Sequence, residues 1–139
     1  MRYRKKAREN GLIVLYRWDM SGEPPEKILK DVVEEKEIKN EKVVDYTEKL
    51  VKTVISRITE IDALIADHLE NWSLDRIGYI ERNLIRLGVA ELVFMGVSDP
   101  GRVFNDYIDL AKKYVDRKAA VFVNGVLSRI YNVTSSTRR

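Results

Sequence analysis

The chain has 139 residues, of which 45% are hydrophobic and 34% charged, with a formal net charge of +3 and no cysteine. That suits one compact soluble domain and excludes disulfides, thiolate nucleophiles and zinc knuckles. No apolar run reaches the length of a membrane span and the N-terminus carries no apolar signal-peptide core, so a cytoplasmic protein is the expectation.

Charge is concentrated at the start. Arg2, Arg4, Lys5, Lys6 and Arg8 all precede the first acidic residue, Glu9, which leaves the rest of the chain slightly acidic. A localised basic cluster marks an anionic partner better than a high overall pI does. The first helix is expected from about Tyr3 to Met20, stopping near Ser21-Gly22 ahead of Pro24-Pro25. Its core stripe is Ala7, Gly11, Val14, Leu15 and Trp18, and Gly11 inside a helix suggests a close helix crossing. A second apolar set, Ile13, Tyr16 and Met20, lies elsewhere on the helical wheel. It suits either a neighbouring helix of the same bundle or another protein.

Pro25 opens a short second helix to about Glu37, with Ile28, Leu29, Val32 and Val33 inward. Lys36 to Lys42 reads as a loop. From Val43 to Leu69, Val43, Tyr46, Leu50, Val54, Ile58, Ile61, Leu64, Ile65 and Leu69 recur at helical spacing, with a bend expected near Thr59.

The most informative stretch is Asn71 to Phe94. On a helix from Leu74, one face collects Ile77, Ile80, Leu84, Leu87 and Gly88, while the opposite face collects Tyr79, Arg82, Asn83 and Arg86. Glu81 and Glu91 fall on the margins of the apolar stripe, where a solvated charge is not expected. Asn71, Ser73 or Asp75 can cap the start, and Gly96 before Pro100 marks the stop.

Val97 to Gly101 reads as a turn in which Ser98 or Asp99 caps a helix opened by Pro100 and running to about Tyr114, with Val103, Tyr107, Leu110 and Ala111 inward. Asp116 caps the last helix, Arg117 to about Tyr131, which buries Ala119, Val123, Val126, Leu127 and Ile130. Phe122 sits at the edge of that stripe, one turn from Lys118, a placement that suits base stacking and core packing alike. No segment alternates with period two. The chain is therefore expected to be all-α, one domain over residues 1–133 with a disordered basic tail over 134–139.

A search for chemistry favours a non-enzyme. His68 is the one histidine, and its carboxylate neighbours Asp67 and Glu70 do not share its helix face, so no metal site or acid–base pair is formed. There is no P-loop and no G-x-G-x-x-G, so no nucleotide cofactor is implied. What remains suits binding, with cations for phosphates and aromatics such as Tyr79 for splayed bases. Three basic groups are expected to converge on one RNA-binding face. They are the arm Arg2–Arg8, the Arg76–Tyr79–Arg82–Arg86 side of the central helix, and Arg117–Lys118.

The blocks ARENGLIVLYRWDMSG (Ala7 to Gly22), HLENWSLDRIGYIERNLIRLGVAEL (His68 to Leu92) and FVNGVLSRI (Phe122 to Ile130), with FNDYIDLAKKY between, resemble the NusB family of bacterial transcription antitermination factors in order and spacing. Glu23 to Lys42 matches least, and Asp106 and Asp109 stand where the family commonly has Glu. The resemblance implies a bundle of about seven helices in two packed three-helix sub-bundles. It implies binding of the boxA element of nascent RNA together with NusE, a protein also found in the small ribosomal subunit. It implies, too, loading onto RNA polymerase with other Nus factors to suppress termination, notably on ribosomal RNA operons. It assigns RNA contact to Arg2, Arg4, Lys5, Lys6 and Arg8, and to Asp116, Arg117, Lys118 and Phe122, and adds His68 at a position that can carry Tyr in the family. It assigns NusE contact to Tyr16 and Glu81, extended here by Ile13 and Met20. Glu91 matches a family acid and is expected to pair with a cation inside the bundle.

Two other readings stay open from the sequence. One is a protein–protein adaptor or homodimer using the Tyr16 surface, with a merely solubilising basic arm. The other is a non-catalytic relative of the helical domain of RNA cytosine methyltransferases, whose α/β cofactor domain and catalytic cysteine this chain lacks.

Overall fold

The computed structural model describes residues 2–71 and 73–137, with only the backbone described at positions 2, 136 and 137. Seven α-helices follow in order: α1 Arg2–Ser21, α2 Pro25–Glu35, α3 Glu41–Ser56, α4 Ile58–Asp67, α5 Tyr79–Val89, α6 Pro100–Tyr114 and α7 Arg117–Thr137. There is no strand among the described residues, and none of their helices is long and apolar enough to cross a membrane.

Local chemistry sets most boundaries. The Asn40 side chain accepts from the Lys42 amide at 2.9 Å to start α3, and Asp99 accepts from the Arg102 amide at 3.2 Å to start α6 behind Pro100. Asp116 Oδ1 accepts from the Ala119 amide at 2.8 Å at the head of α7. The expected bend near Thr59 is a break at Arg57, between α3 and α4.

Two boundaries differ from the sequence expectation. The central helix starts at Tyr79 rather than Leu74, because Leu74–Arg76 forms a separate 3₁₀ turn and Ile77 is extended. Its N-cap is Gly78, with no side-chain cap. At its far end the helix widens into a π-helical turn over Ala90–Phe94, then stops at Gly96, whose φ of 61° is a left-handed conformation that glycine adopts at no steric cost. At the C-terminus, α7 runs on to Thr137 instead of ending near Tyr131, so Thr134–Thr137, expected in a disordered tail, are helical; Arg138 and Arg139 lie outside the described residues.

The first three helices pack on one another, as do α5, α6 and α7, with α4 bridging α3 to α5 and α7. This is the arrangement of two three-helix sub-bundles. They share one core, because α1 also packs on α5 and α6. Leu12, Leu15, Leu50, Leu84, Leu87, Leu127 and Ile130 are all fully buried in it. Close approach is built from glycine. A Cβ at Gly88 would lie 2.6 Å from a Leu127 methyl, so α5 and α7 touch there, and one at Gly11 would lie 3.3 Å from Leu87, where α1 crosses α5.

Candidate nucleic-acid and partner interface

The first turn of α1 presents Lys5 and Lys6 to solvent, and the side chain of Arg2 lies outside the described residues. Arg4 is half-buried, its guanidinium carbon 4.8 Å from the Tyr46 ring centroid and 5.8 Å from that of Tyr3.

Arg8 corrects the sequence expectation. It is 2% exposed, so it faces the core and offers nothing to an external ligand. Its Nε and Nη2 donate to the two oxygens of Glu91 at 2.8 Å each, and its Nη1 donates to Asp106 Oδ2 at 2.8 Å. Glu91 is fully buried and also accepts from the Tyr46 hydroxyl at 2.6 Å and the Tyr107 hydroxyl at 2.5 Å. The π-helical turn that carries Glu91 places it at the centre of these donors. Burial alone would lower the Arg8 pKa, but the bonds and charge of Glu91 outweigh it and raise the guanidinium above its ordinary value. Burial and the Glu91 charge likewise hold both phenols well above theirs. The cation expected to pair with Glu91 is thus one of those first placed in the RNA-binding arm.

Arg82 and Arg86 are corrected in the same way. Arg86 is 6% exposed, paired through Nε and Nη2 to Asp62 at 2.9 Å each, with Nη1 on Asp19 Oδ2 and on Asn83 Oδ1 at 3.1 Å each. Arg82 donates to Asp19 Oδ2 at 2.9 Å and to the Leu74 carbonyl at 3.2 Å. Arg82, Asn83 and Arg86 of α5 therefore look into a seam between α1 and α4. Two guanidinium groups and two carboxylates compensate one another there.

Tyr79, 42% exposed, packs on both Tyr16 and Arg82. Its ring meets Tyr16 edge-on, with centroids 6.1 Å apart at 83°, and Arg82 packs 4.8 Å from it. With half-buried Ile13 and with Met20, 56% exposed, Tyr16 and Tyr79 make an apolar, aromatic patch on the outer side of α1.

Glu81 lies two residues on, about 200° around the helix from Tyr79. It lines a groove of about 320 Å³ with Arg76, Ile77, Asp116, Lys118 and Phe122. Arg76, Asp116, Arg117 and Lys118 are exposed and Phe122 is half-buried. This groove is where two of the three expected basic groups meet, Arg76 from the turn before α5 and Lys118 from α7. His68 is not among the groove-lining residues. It ends α4 with Nδ1 2.8 Å from the Leu64 carbonyl, a contact in which Nδ1–H donates.

The third basic group is tied to this region through Glu9. The Glu9 carboxylate accepts from Lys113 Nζ at 2.6 Å and from the Tyr114 hydroxyl at 2.5 Å. That fixes the basic first turns of α1 beside the end of α6, immediately before Val115 and Asp116 of the groove. Burial would raise the Glu9 pKa, but the bonds from Lys113 and Tyr114 hold it below the usual range, while burial and Glu9 push the Tyr114 phenol up to about 12. Sequence reasoning missed Lys112 and Lys113 here, although the run KKYVDRK (Lys112 to Lys118) signals a basic edge continuous across the α6–α7 turn. It also missed Asp19 and Asp62, which decide where Arg82 and Arg86 point.

Residues 5–132 match the model of the NusB family. The transcription antitermination protein NusB of Aquifex aeolicus (strain VF5) is 58% identical over 138 residues, covering 98% of this chain and 93% of that protein. Its counterpart in Persephonella marina (strain DSM 14350 / EX-H1) is 44% identical, covering 94% and 93%. Among solved structures, a crystal structure of antitermination factors NusB and NusE in complex with double-stranded RNA superimposes with a TM-score of 0.92 at 57% identity, covering 96% of this chain and 98% of that one.

Proposed function

The chain belongs to the NusB family, and on that premise we propose that it is a non-catalytic, cytoplasmic transcription antitermination factor. It binds boxA-type single-stranded RNA together with NusE and joins the RNA polymerase antitermination complex with other Nus factors, notably on ribosomal RNA operons. The observation that carries the reading is the groove that brings Arg76, Lys118 and Phe122 together beside the basic start of α1. Cations there engage phosphates, and Phe122 offers a face on which a splayed base stacks. Within this reading Arg2, Arg4, Lys5, Lys6, Arg76, Asp116, Arg117, Lys118 and Phe122 are the RNA-contacting set, with His68 at its margin.

NusE docks on Ile13, Tyr16, Tyr79 and Met20. Glu81, the acid that the resemblance assigns to NusE, lines the groove on the far side of α5 from Tyr79, and NusE and RNA each strengthen the binding of the other by the same factor. A second copy of the chain would compete for the same patch. The two surfaces separate experimentally. Lys118→Glu weakens RNA binding measured without NusE, and Met20→Glu weakens NusE binding measured without RNA. Loss of both activities in both variants contradicts two distinct surfaces.

A further inference from the structure

A second basic groove lies at the other side of the α1 N-terminal turns, against the turn between α2 and α3. It has a volume of about 470 Å³ and is lined by Tyr3, Lys6, Asn10, Lys36 and Lys39 together with the carboxylates Glu9 and Glu37. The turn is held by a hydrogen bond from the Ile38 amide to the Val33 carbonyl at 3.0 Å across Glu37, whose φ is 50°. This closure fixes Lys36 and Lys39 on either side of it, both exposed. Asn10 is 3% exposed, and its Oδ1 accepts from Lys36 Nζ at 2.6 Å. That bond orients the amide so that its NH₂ group has no protein hydrogen-bond partner among the described residues and serves as a donor lining the groove.

The charge balance of the groove is positive. Of its two carboxylates, Glu9 is already engaged by Lys113 and Tyr114 outside the groove, which leaves Glu37 against three lysines. The ring of Tyr3 forms one wall, held edge-on by Tyr46 at 6.2 Å. Lysines, one amide donor and one aromatic wall are the groups that receive a nucleotide of a single strand with its flanking phosphates.

Glu9 also supplies continuity. It lines this groove and, through Tyr114, abuts Val115 of the groove that holds Phe122. Lys5, Lys6, Lys112 and Lys113 are all exposed, and Lys113 is paired with Glu9. We propose that the groove between α1 and the α2–α3 turn is a second RNA-contacting site. It binds the backbone of nucleotides that flank the segment held at Phe122, with Lys36 and Lys39 as phosphate ligands. The inference rests on the RNA-binding reading given above.

The test uses the full chain and fluorescence anisotropy with two probes, a boxA-type single-stranded RNA and the same sequence extended by six nucleotides at each end. Titrations run from 50 to 300 mM salt for the wild type and for the variants Lys36→Gln, Lys39→Gln and Lys118→Glu. Each lost phosphate contact on a single strand flattens the logarithmic salt slope by about 0.7 and lowers affinity about fivefold to tenfold at 50 mM salt. Lys36→Gln and Lys39→Gln are each expected to show that loss on the extended RNA and none on the short one. Lys118→Glu weakens both. If the wild type binds both RNAs and Lys118→Glu weakens them while Lys36→Gln and Lys39→Gln leave the slope on the extended RNA unchanged, the second site is overturned and the first stands. If the wild type binds neither RNA, both fall together. Lys39 makes no hydrogen bond to other described residues, so Lys39→Gln keeps the test intact even if Lys36→Gln disturbs Asn10.

Discussion

Arg8 and Glu91, 83 residues apart in the chain, share two hydrogen bonds of 2.8 Å in a fully buried pair that joins α1 to the π-helical end of the central helix. The pair belongs to a network with Asp106, Tyr46 and Tyr107, in which one buried cation meets two buried carboxylates and both hydroxyls donate to Glu91. Removing one member leaves the others buried with lost partners, which typically costs about 3–5 kcal/mol. Glu91→Leu is therefore expected to lower unfolding free energy by that amount in a urea titration while the folded protein keeps its RNA affinity. An unchanged melting temperature with lost RNA binding contradicts this.

The same network sets an alkaline limit. Burial and the Glu91 charge hold the Tyr46 and Tyr107 phenols above their ordinary values. The unfolded chain ionises them near pH 10 and the folded one does not. Their stabilising effect is fully present below about pH 10 and is lost as pH rises toward the folded values. Each phenol contributes a fall of about 1.4 kcal/mol per pH unit. Tyr107→Phe removes one such contribution, so its stability curve between pH 10 and 11 is expected to be shallower than that of the wild type. Parallel curves contradict the assignment.

Arg86 marks the limit of the polar face of α5 as a ligand surface. With Asp62 and Asp19 as its partners, Arg86→Leu is expected to cost about 1–3 kcal/mol of stability, as for a buried charged hydrogen bond left unmade. It is expected to leave the salt slope of RNA binding unchanged. A slope reduced as much as by Lys118→Glu shows instead that Arg86 contacts phosphate.

Gly88 tests the packing between the two helices that frame the groove. A methyl group there meets Leu127 at 2.6 Å, and Leu127 is fully buried, so it must shift within the core. Gly88→Ala is expected to destabilise by about 1–3 kcal/mol through overpacking, against the gain in helix propensity. A stabilised variant shows that α5 and α7 move apart freely.

The sequence announced the helices well because their signals are local. The caps Asn40, Asp99 and Asp116 act within three residues, and the inward stripes of α6 and α7 follow one helical period. The start of the central helix was less legible, since Leu74–Arg76 carries a helical pattern yet closes only a 3₁₀ turn before the extended Ile77. The site was half legible. Phe122, Lys118 and Arg76 meet as their exposure and motif positions suggest, and Tyr16 was visible as an apolar residue off the core stripe. Arg8, Arg82 and Arg86 were misplaced because a helical wheel reports polarity but not what lies opposite. Their carboxylate partners, Glu91, Asp19 and Asp62, sit 24 to 83 residues away on other helices. A buried ion pair and a solvated charge look the same in one sequence.

The account stands most directly on RNA affinity by fluorescence anisotropy, with a boxA-type oligomer and a scrambled one, each with and without purified NusE. Selective binding of the boxA-type RNA that tightens when NusE is added is the expected result, by about 5- to 150-fold for a coupling of about 1–3 kcal/mol. RNA is then expected to tighten NusE binding by the same factor. Equal, weak binding to both oligomers, unaffected by NusE, contradicts the account.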